Sequence, residues 1–285
     1  MKPPAKKKRV RQILQSVMEQ EYLLFVDLFC GGGGASSGVL LALKELGLYE
    51  LLEKRSRYIQ AIAVNHDPIA IKSHTANHPT VEHWDCDIEA LDPAVALRDP
   101  LTGLLRAITI LWQSAPCQDW SVAASGPVKT PHKRATPEYM LKWVRIGRPK
   151  VIIEENVWEV VQKWGGWSAH VAELEAEGYR VEYRKLNAAD YGTPQSRERL
   201  ILIAVRKDLP IAWPKQSHSE LGKDGKPKVP GTKPWNGADT ILDLDLPCPS
   251  IFSRTRWSCK SKKHRKRVPW PHSPTTRRRI ARHIR

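Results

Sequence analysis

"YLLFVDLFCGGGGASSGVLLALKELG" spans residues 22–47, and its two halves follow different periods. Residues 22–30 form a continuous apolar run broken by one acid, the pattern of a strand buried on both faces. After the glycines, Val39, Leu40, Leu43 and Leu46 recur at helical spacing, and Gly47 ends the run. Between the halves stand four consecutive glycines, Gly31 to Gly34. Backbone this permissive costs folding entropy, so the turn must answer some need.

The loop is not a dinucleotide fingerprint. Reading G-x-G-x-x-G from Gly31 puts Ser36 where the third glycine belongs, and no G-K-[ST] follows to hold a triphosphate. Polar residues stand at the next strand ends, with Asn65 and Asp67 after the second and Asp87 after the third. Such side chains reach a ribose and an adenine ring, while glycine backbone admits a ligand without a phosphate. An adenosyl group such as S-adenosylmethionine suits that combination. A glycine-rich turn in some other α/β protein suits the loop alone equally well.

Further along, "YIQAIAVNHD" (58–67) predicts a second strand, and "PIAIKSHTANH" (68–78) a helix with Pro68 in its first turn. "HWDCDI" (83–88), "AITILWQSAPC" (107–117) and "KVIIEENV" (150–157) read as further strands. "PEYMLKWVRIGRP" (137–149) and "HVAELEAEGY" (170–179) read as helices, the second closed by Gly178. "YRVEYRKLNAADY" and "RERLILIAVR" predict a final strand pair. Strands alternating with helices mean an α/β fold: a doubly wound, mostly parallel sheet of Rossmann-like type, which binds ligands beyond the carboxyl ends of its strands. From about residue 210 the text turns to Pro, Gly, Lys and Trp. We therefore expect a basic tail over 1–21, a main domain over 22–210 and a short basic region over 211–285.

The charge is unevenly placed. The 285 residues carry 46 Lys and Arg against 30 Asp and Glu, a net of +16. Residues 1–12 hold six basic side chains and residues 251–285 hold thirteen, with no acid in either. Removing those nineteen leaves 27 basic against 30 acidic residues in 13–250, so the body is near neutral between two basic ends. Basic tracts suit a polyanion, nucleic acid first, although solvated tails give the same composition. "PAKKKRV" also matches a nuclear-import pattern that short basic runs meet easily. Five cysteines (30, 86, 117, 248 and 259) show no C-x-x-C pair, which favours free thiols in an intracellular, cytoplasmic setting and offers no zinc or other metal site. No apolar stretch approaches the roughly 18 residues that would cross a bilayer, and no apolar core follows the basic amino terminus as in a secretion signal.

Three more stretches narrow the reading: "SAPCQDWS" (114–121), "EENV" (154–157) and "QSRER" (195–199). With "DLFCGGGG", in this order and spacing, they closely resemble the DNA cytosine-5 methyltransferases. "LNAADYGTPQSRERLILIA" and "NHDPIAIKSHTANHP" are similar to phage and bacterial members. The resemblance covers about residues 22–206. It implies S-adenosylmethionine as cofactor, DNA as partner, a role in restriction-modification and, in a bacterial or phage context, a place near the nucleoid.

The chemistry of that family accounts for the residue types. Cytosine C5 is a poor nucleophile until a thiolate adds at C6 and turns C5 into an enamine-like carbon. A thiol ionises far more readily than a hydroxyl and can leave again, which fits Cys117 after Pro116 at a strand end. Addition is eased when N3 of the ring accepts a proton or hydrogen bond from a carboxyl group. The resemblance assigns that role to Glu155. Glu154, on the opposite face of the same strand, is expected to be structural, and Asn156 to fix the neighbouring backbone. Arg199, with Arg197 near it, would hold the base carbonyl and orient the acid; a strand-surface salt bridge with Glu198 is the plainer alternative.

For the cofactor, the resemblance implies Phe29 against the adenine, Gly31 and Gly33 beside the methionine part, Asn65 and Asp67 near the ribose, Asp87 on the adenine amino group, and Ile88 as a further cofactor-binding residue. The target carbon lies inside duplex DNA, so the base must be flipped out beneath a moving loop. Residues 118–137 have the glycine and basic content for it, with Gln118, Ser121, Lys129, His132, Lys133 and Arg134 expected on DNA.

This chain departs from the family at Asn65, where an acid is usual, and at Trp120 of the active loop, where phenylalanine is commoner. Family enzymes continue with a target-reading region, an Arg-Glu motif and a closing helix, and none of these is legible before Arg285. The expectation is a chain cut short, a second chain supplying those motifs, or a minimal DNA-reading part. A tRNA cytosine methyltransferase and a catalytically silent nucleic-acid-binding protein are the rival readings.

Overall fold

The computed structural model describes residues 22–49, 59–116, 136–242, 255–257 and 267–269. The apolar run before the glycines is strand β1 (Leu23–Leu28), and all six of its residues are buried. It pairs in parallel with β2 (Ile59–Asn65) on one side and β4 (Ile110–Gln113) on the other. Strand β3 (Glu82–Asp85) continues the sheet beyond β2, and β5 (Val151–Asn156) continues it beyond β4. Strands β6 (Tyr179–Asn187) and β7 (Glu198–Arg206) complete an order of β3-β2-β1-β4-β5-β7-β6. Only β7 runs against its neighbours. The chain reverses its winding between β1 and β4, so the glycine loop leaves β1 at the switch point, where such sheets open a crevice.

Helices follow the strands as the spacing predicts. Helix α1 (Gly34–Glu45) follows β1, and α2 (Pro68–Asn77) follows β2 with Pro68 at its start and Asp67 as its cap. Short α3 (Pro93–Ala96) follows β3 and α4 (Thr136–Gly147) precedes β5. Helices α5 (Glu159–Lys163) and α6 (Trp167–Ala176) lie between β5 and β6. At four and five residues, α3 and α5 are too short to show an apolar period. The fourth strand pairs only over 110–113, a shorter span than the apolar run 107–117 predicts. Before it, the Ala107 and Thr109 amides donate instead to the Tyr22 hydroxyl and the Leu24 carbonyl.

Alternation of side chains gives the sheet two dry faces. Leu24, Val26, Leu28, Ile152, Leu200 and Leu202 pack with Met140, Trp143 and Leu174 on one side. Leu23, Phe25, Ile59 and Ala63 pack with Leu43 on the other. Each fully buried side chain of this size contributes roughly 1.5–3 kcal/mol relative to exposure.

Among the described residues, the chain through Trp235 forms one compact unit and residues from Asn236 on a second. Within the first, β8 (His218–Ser219) pairs in parallel with β9 (Lys233–Pro234). The Ser217 amide donates to the Asp190 carbonyl at 3.0 Å, and Trp235 Nε1 donates to the Asp190 carboxylate at 2.9 Å. These bonds fasten residues 217–235 beside the 3-10 turn Ala188–Tyr191. In the second unit, β10 (Thr255–Trp257) pairs antiparallel with β11 (Arg267–Pro269). No described helix is long and apolar enough to cross a membrane.

Candidate active site

The glycine loop is tightly bent. Phe29, Gly31 and Gly33 take φ values of 60°, 52° and 90°, all left-handed. For Phe29 that conformation costs about 1–2 kcal/mol, so the surrounding structure must impose it. The Cys30 amide donates to the Val64 carbonyl at 3.2 Å, and the Gly33 amide to the Cys30 carbonyl at 2.9 Å. A side chain at Gly32 would meet nothing within 4 Å, so the loop is open there. Gly33 differs: a Cβ there would lie 2.6 Å from Nε2 of His78. Its lack of a side chain makes room for an imidazole on the inner side of the loop.

The other expected cofactor residues gather at the same edge. Asn65 ends β2, and its Oδ1 accepts the Asp67 amide at 2.9 Å. Asp67 caps α2 by accepting the Ile69 amide at 2.8 Å, and Asp87 accepts the Glu89 amide at 3.0 Å. Ile88 is buried and Phe29 half-buried, both in the larger cluster. An open glycine turn, half-buried aromatic surface and exposed carboxylates fit an adenosyl ligand, whose diol and amino group supply donors to match. Bound there, S-adenosylmethionine would supply an electrophilic methyl group.

On the far side of the switch point, β5 splits its two acids between opposite faces. Glu154 is buried, with Oε1 2.8 Å from Nε2 of His170 on α6. Burial disfavours the imidazolium, but the charge and hydrogen bond of Glu154 outweigh it and raise the His170 pKa. Glu155 faces the other way. Its Oε1 lies 3.1 Å from Nε of Arg199 and 3.6 Å from the Arg197 guanidinium. The plainer alternative for these arginines is not what forms: the Glu198 carboxylate pairs with Lys185 at 2.7 Å, and what Arg199 meets on Glu198 is the backbone carbonyl. Asn156 accepts the Val157 amide at 2.8 Å and donates to the Ala115 carbonyl at 3.4 Å, fixing backbone two residues before Cys117.

Asn187 is a site residue that spacing does not reveal. Its Oδ1 accepts the amides of Ala189 at 3.1 Å and Arg197 at 3.0 Å, and its Nδ2 donates to the Ser196 hydroxyl at 3.1 Å. One amide side chain thus closes the turn and sets where Arg197 begins. Its place just ahead of the "AADYG" turn is the only signal the sequence offers.

Cys117, Gln118, Ser121, Lys129, His132, Lys133 and Arg134 lie outside the described residues. The two described cysteines are poor nucleophiles. Burial, helped by the charge of Asp27, pushes the Cys30 thiol up to about 12, and burial with the charges of Asp85 and Asp87 raises that of Cys86. Among the described residues no group of His, Cys, Asp and Glu could hold a metal ion.

Known proteins resemble this chain in sequence and in fold. The chain is 28% identical over 194 residues to the type II methyltransferase M.DdeI of Desulfomicrobium norvegicum, covering 65% of this chain and 41% of that protein. It is 31% identical to M.XorII of Xanthomonas oryzae, covering 66% and 42%. A DNA modification methyltransferase encoded within an E. coli prophage superposes with a TM-score of 0.53 at 25% identity, covering 67% of this chain and 49% of that one. A Spodoptera frugiperda DNMT2 variant shares the fold, with a TM-score of 0.50 at 19% identity over 79% and 61% of the two chains. The chain spans about half the length of the curated relatives it matches. Residues 23–268 match the family model of the C-5 cytosine-specific DNA methylases, and the chain belongs to that family.

Proposed function

We propose that this protein transfers a methyl group from S-adenosylmethionine to C5 of cytosine in DNA, within a restriction-modification setting. The observation that carries the reading is Glu155, held by Arg199 and Arg197 at the carboxyl edge of the sheet while its neighbour Glu154 is committed to the core. Two guanidinium groups keep that carboxyl oriented toward the crevice. There it contacts N3 of a flipped cytosine while an arginine holds the O2 carbonyl. Cys117 adds to C6, C5 gains nucleophilic character and takes the methyl group, and loss of the C5 proton expels the thiolate. Phe29, Ile88 and Asp87 seat the adenine, Asn65 and Asp67 the ribose, and Gly31 to Gly33 leave room for the methionine part. Gln118, Ser121, Lys129, Lys133 and Arg134 meet the DNA around the flipped base. The domain over 22–210 carries this chemistry, and the residues from 211 on begin the DNA-reading part. Target choice would rest with a DNA-reading segment such as the relatives' additional length can hold.

The test is to incubate the purified chain, and its Cys117→Ser variant, with radiolabelled cofactor and a mixture of DNA and tRNA. Label in DNA cytosine with the parent alone supports the proposal. Label in tRNA replaces DNA with RNA as substrate. Cofactor binding without any label, and no covalent complex with 5-fluorocytosine DNA, leaves a silent nucleic-acid-binding protein.

A further inference from the structure

Four glycines and a left-handed phenylalanine do not hold one shape unaided, and the glycine loop is braced from behind. The braces are His74 and His78, one helical turn apart at the end of α2, where His78 is the C-terminal cap; both are buried. Nε2 of His78 lies 3.3 Å from the Gly33 carbonyl and 3.3 Å from the Ser37 hydroxyl. A carbonyl can only accept, so Nε2 carries the proton and donates to the loop. Nδ1 of His78 is then a buried lone pair, and it has no partner among the described residues. The same ring fills the space a Cβ at Gly33 would need.

His74 holds the first turn of α1. Its Nε2 lies 3.1 Å from the Ser36 hydroxyl, which lies 2.8 Å from Oδ2 of Asp27 on β1. Burial raises the Asp27 pKa to about 7 against the pull of the Ser36 hydrogen bond. When Asp27 is ionised, Ser36 gives it its one proton, so His74 Nε2–H must donate to Ser36. The other ring nitrogen, Nδ1, then accepts from Nε2 of His83 on β3 at 2.8 Å. Burial, with the neighbouring imidazoles of His78 and His83, lowers the His74 pKa to about 4, which keeps this ring neutral as the chain of donors requires.

We infer that His74 and His78 are positioning residues of the cofactor seat: from α2 they fix Gly33 and the first turn of α1, so that Gly31 and Gly32 face the ligand already shaped. This rests on the adenosyl reading of the loop proposed above. A loop rich in glycine is costly to order, and ordering it before the ligand arrives moves that cost out of binding. The histidines touch no reacting atom. They act through the loop.

The nitrogen that does this is Nε2, which makes the inference testable by shape. Glutamine carries its amide nitrogen about where histidine carries Nε2, whereas asparagine carries its nitrogen about where histidine carries Nδ1. S-Adenosylhomocysteine binding is measured by calorimetry on the full chain, well below each variant's melting temperature. His78→Ala is expected to weaken binding about tenfold, as for the removal of one buried donor. His78→Gln should return to within about threefold of the parent, and His78→Asn should stay near the alanine variant. Equal affinity of the glutamine and asparagine variants overturns the inference, even if the alanine variant fails to fold. Unchanged affinity in the alanine variant overturns it as well. A parent that binds no S-adenosylhomocysteine takes down the adenosyl reading and this inference together, a result distinct from either of the others.

Discussion

Adjacent residues in this protein do opposite jobs, and Glu154 and Glu155 are the plainest case. A strand turns successive side chains to opposite faces, so one acid enters the core against His170 while the next meets Arg199 at the rim. Glu155→Gln should lower methyl transfer by about 100-fold or more, the usual contribution of a positioned acid. Glu154→Gln should leave turnover within a few-fold while lowering the melting temperature. Steady-state rates on DNA and a thermal melt separate the two, and equal rate losses would mean that the faces are misassigned. Gly33 makes a second case. Its φ of 90° and the His78 ring 2.6 Å from a would-be Cβ make Gly33→Ala costly, by about 1–3 kcal/mol in a urea titration. Gly32→Ala, where a Cβ meets nothing, should cost under about 1 kcal/mol. The order of the two is the test. These assignments were unevenly legible. The family resemblance, with strand alternation, told Glu154 from Glu155, but nothing in the glycine run distinguished Gly33, because its constraint comes from a histidine 45 residues away.

Elements hold one another through a few polar ties laid across the apolar layers. The Glu154–His170 pair links β5 to α6, and both side chains are buried. Because the folded state raises the His170 pKa above the ordinary 6.5, this tie stabilises the fold fully below pH 6.5 and loses its contribution as pH rises through the raised value. Urea midpoints measured from about pH 5.5 to 9 should therefore fall more steeply in the parent than in Glu154→Gln. Parallel curves would refute it. Breaking such a buried pair by removing one partner costs about 3–5 kcal/mol, so the double variant His170→Leu with Glu154→Leu should be more stable than either single change. Most elements were readable as periods and end signals: Pro68 in the first turn of α2, Gly178 after α6, the apolar run of β1. The ties were not, because a histidine on an apolar helix face carries no mark of the acid it will meet.

At the scale of the whole molecule, charge is segregated: a body of net −3 over 13–250 lies between basic ends. Deleting 251–285 removes thirteen Lys and Arg side chains. If they meet phosphates, DNA affinity should fall and its log–log dependence on salt should flatten by about 0.9 for each phosphate no longer neutralised. An unchanged slope in a fluorescence-anisotropy titration would show that they are solvated tails. The sequence by itself determined the class of fold, the succession of strands and helices, the two ends of the charge distribution and the motifs that place the chain in its family. It could do so because periodicity, glycine runs and composition are local, and local patterns survive in one dimension. Tertiary structure alone decided that Arg199 and Arg197 converge on Glu155 rather than Glu198, that Asn187 sets the start of the arginine segment, and that two histidines of α2 stand behind the glycine loop. Each of those pairings forms only when strands pair and helices pack; even Asn187 and Arg197, ten residues apart, meet because β6 and β7 lie side by side, and the sequence carries no local mark of that.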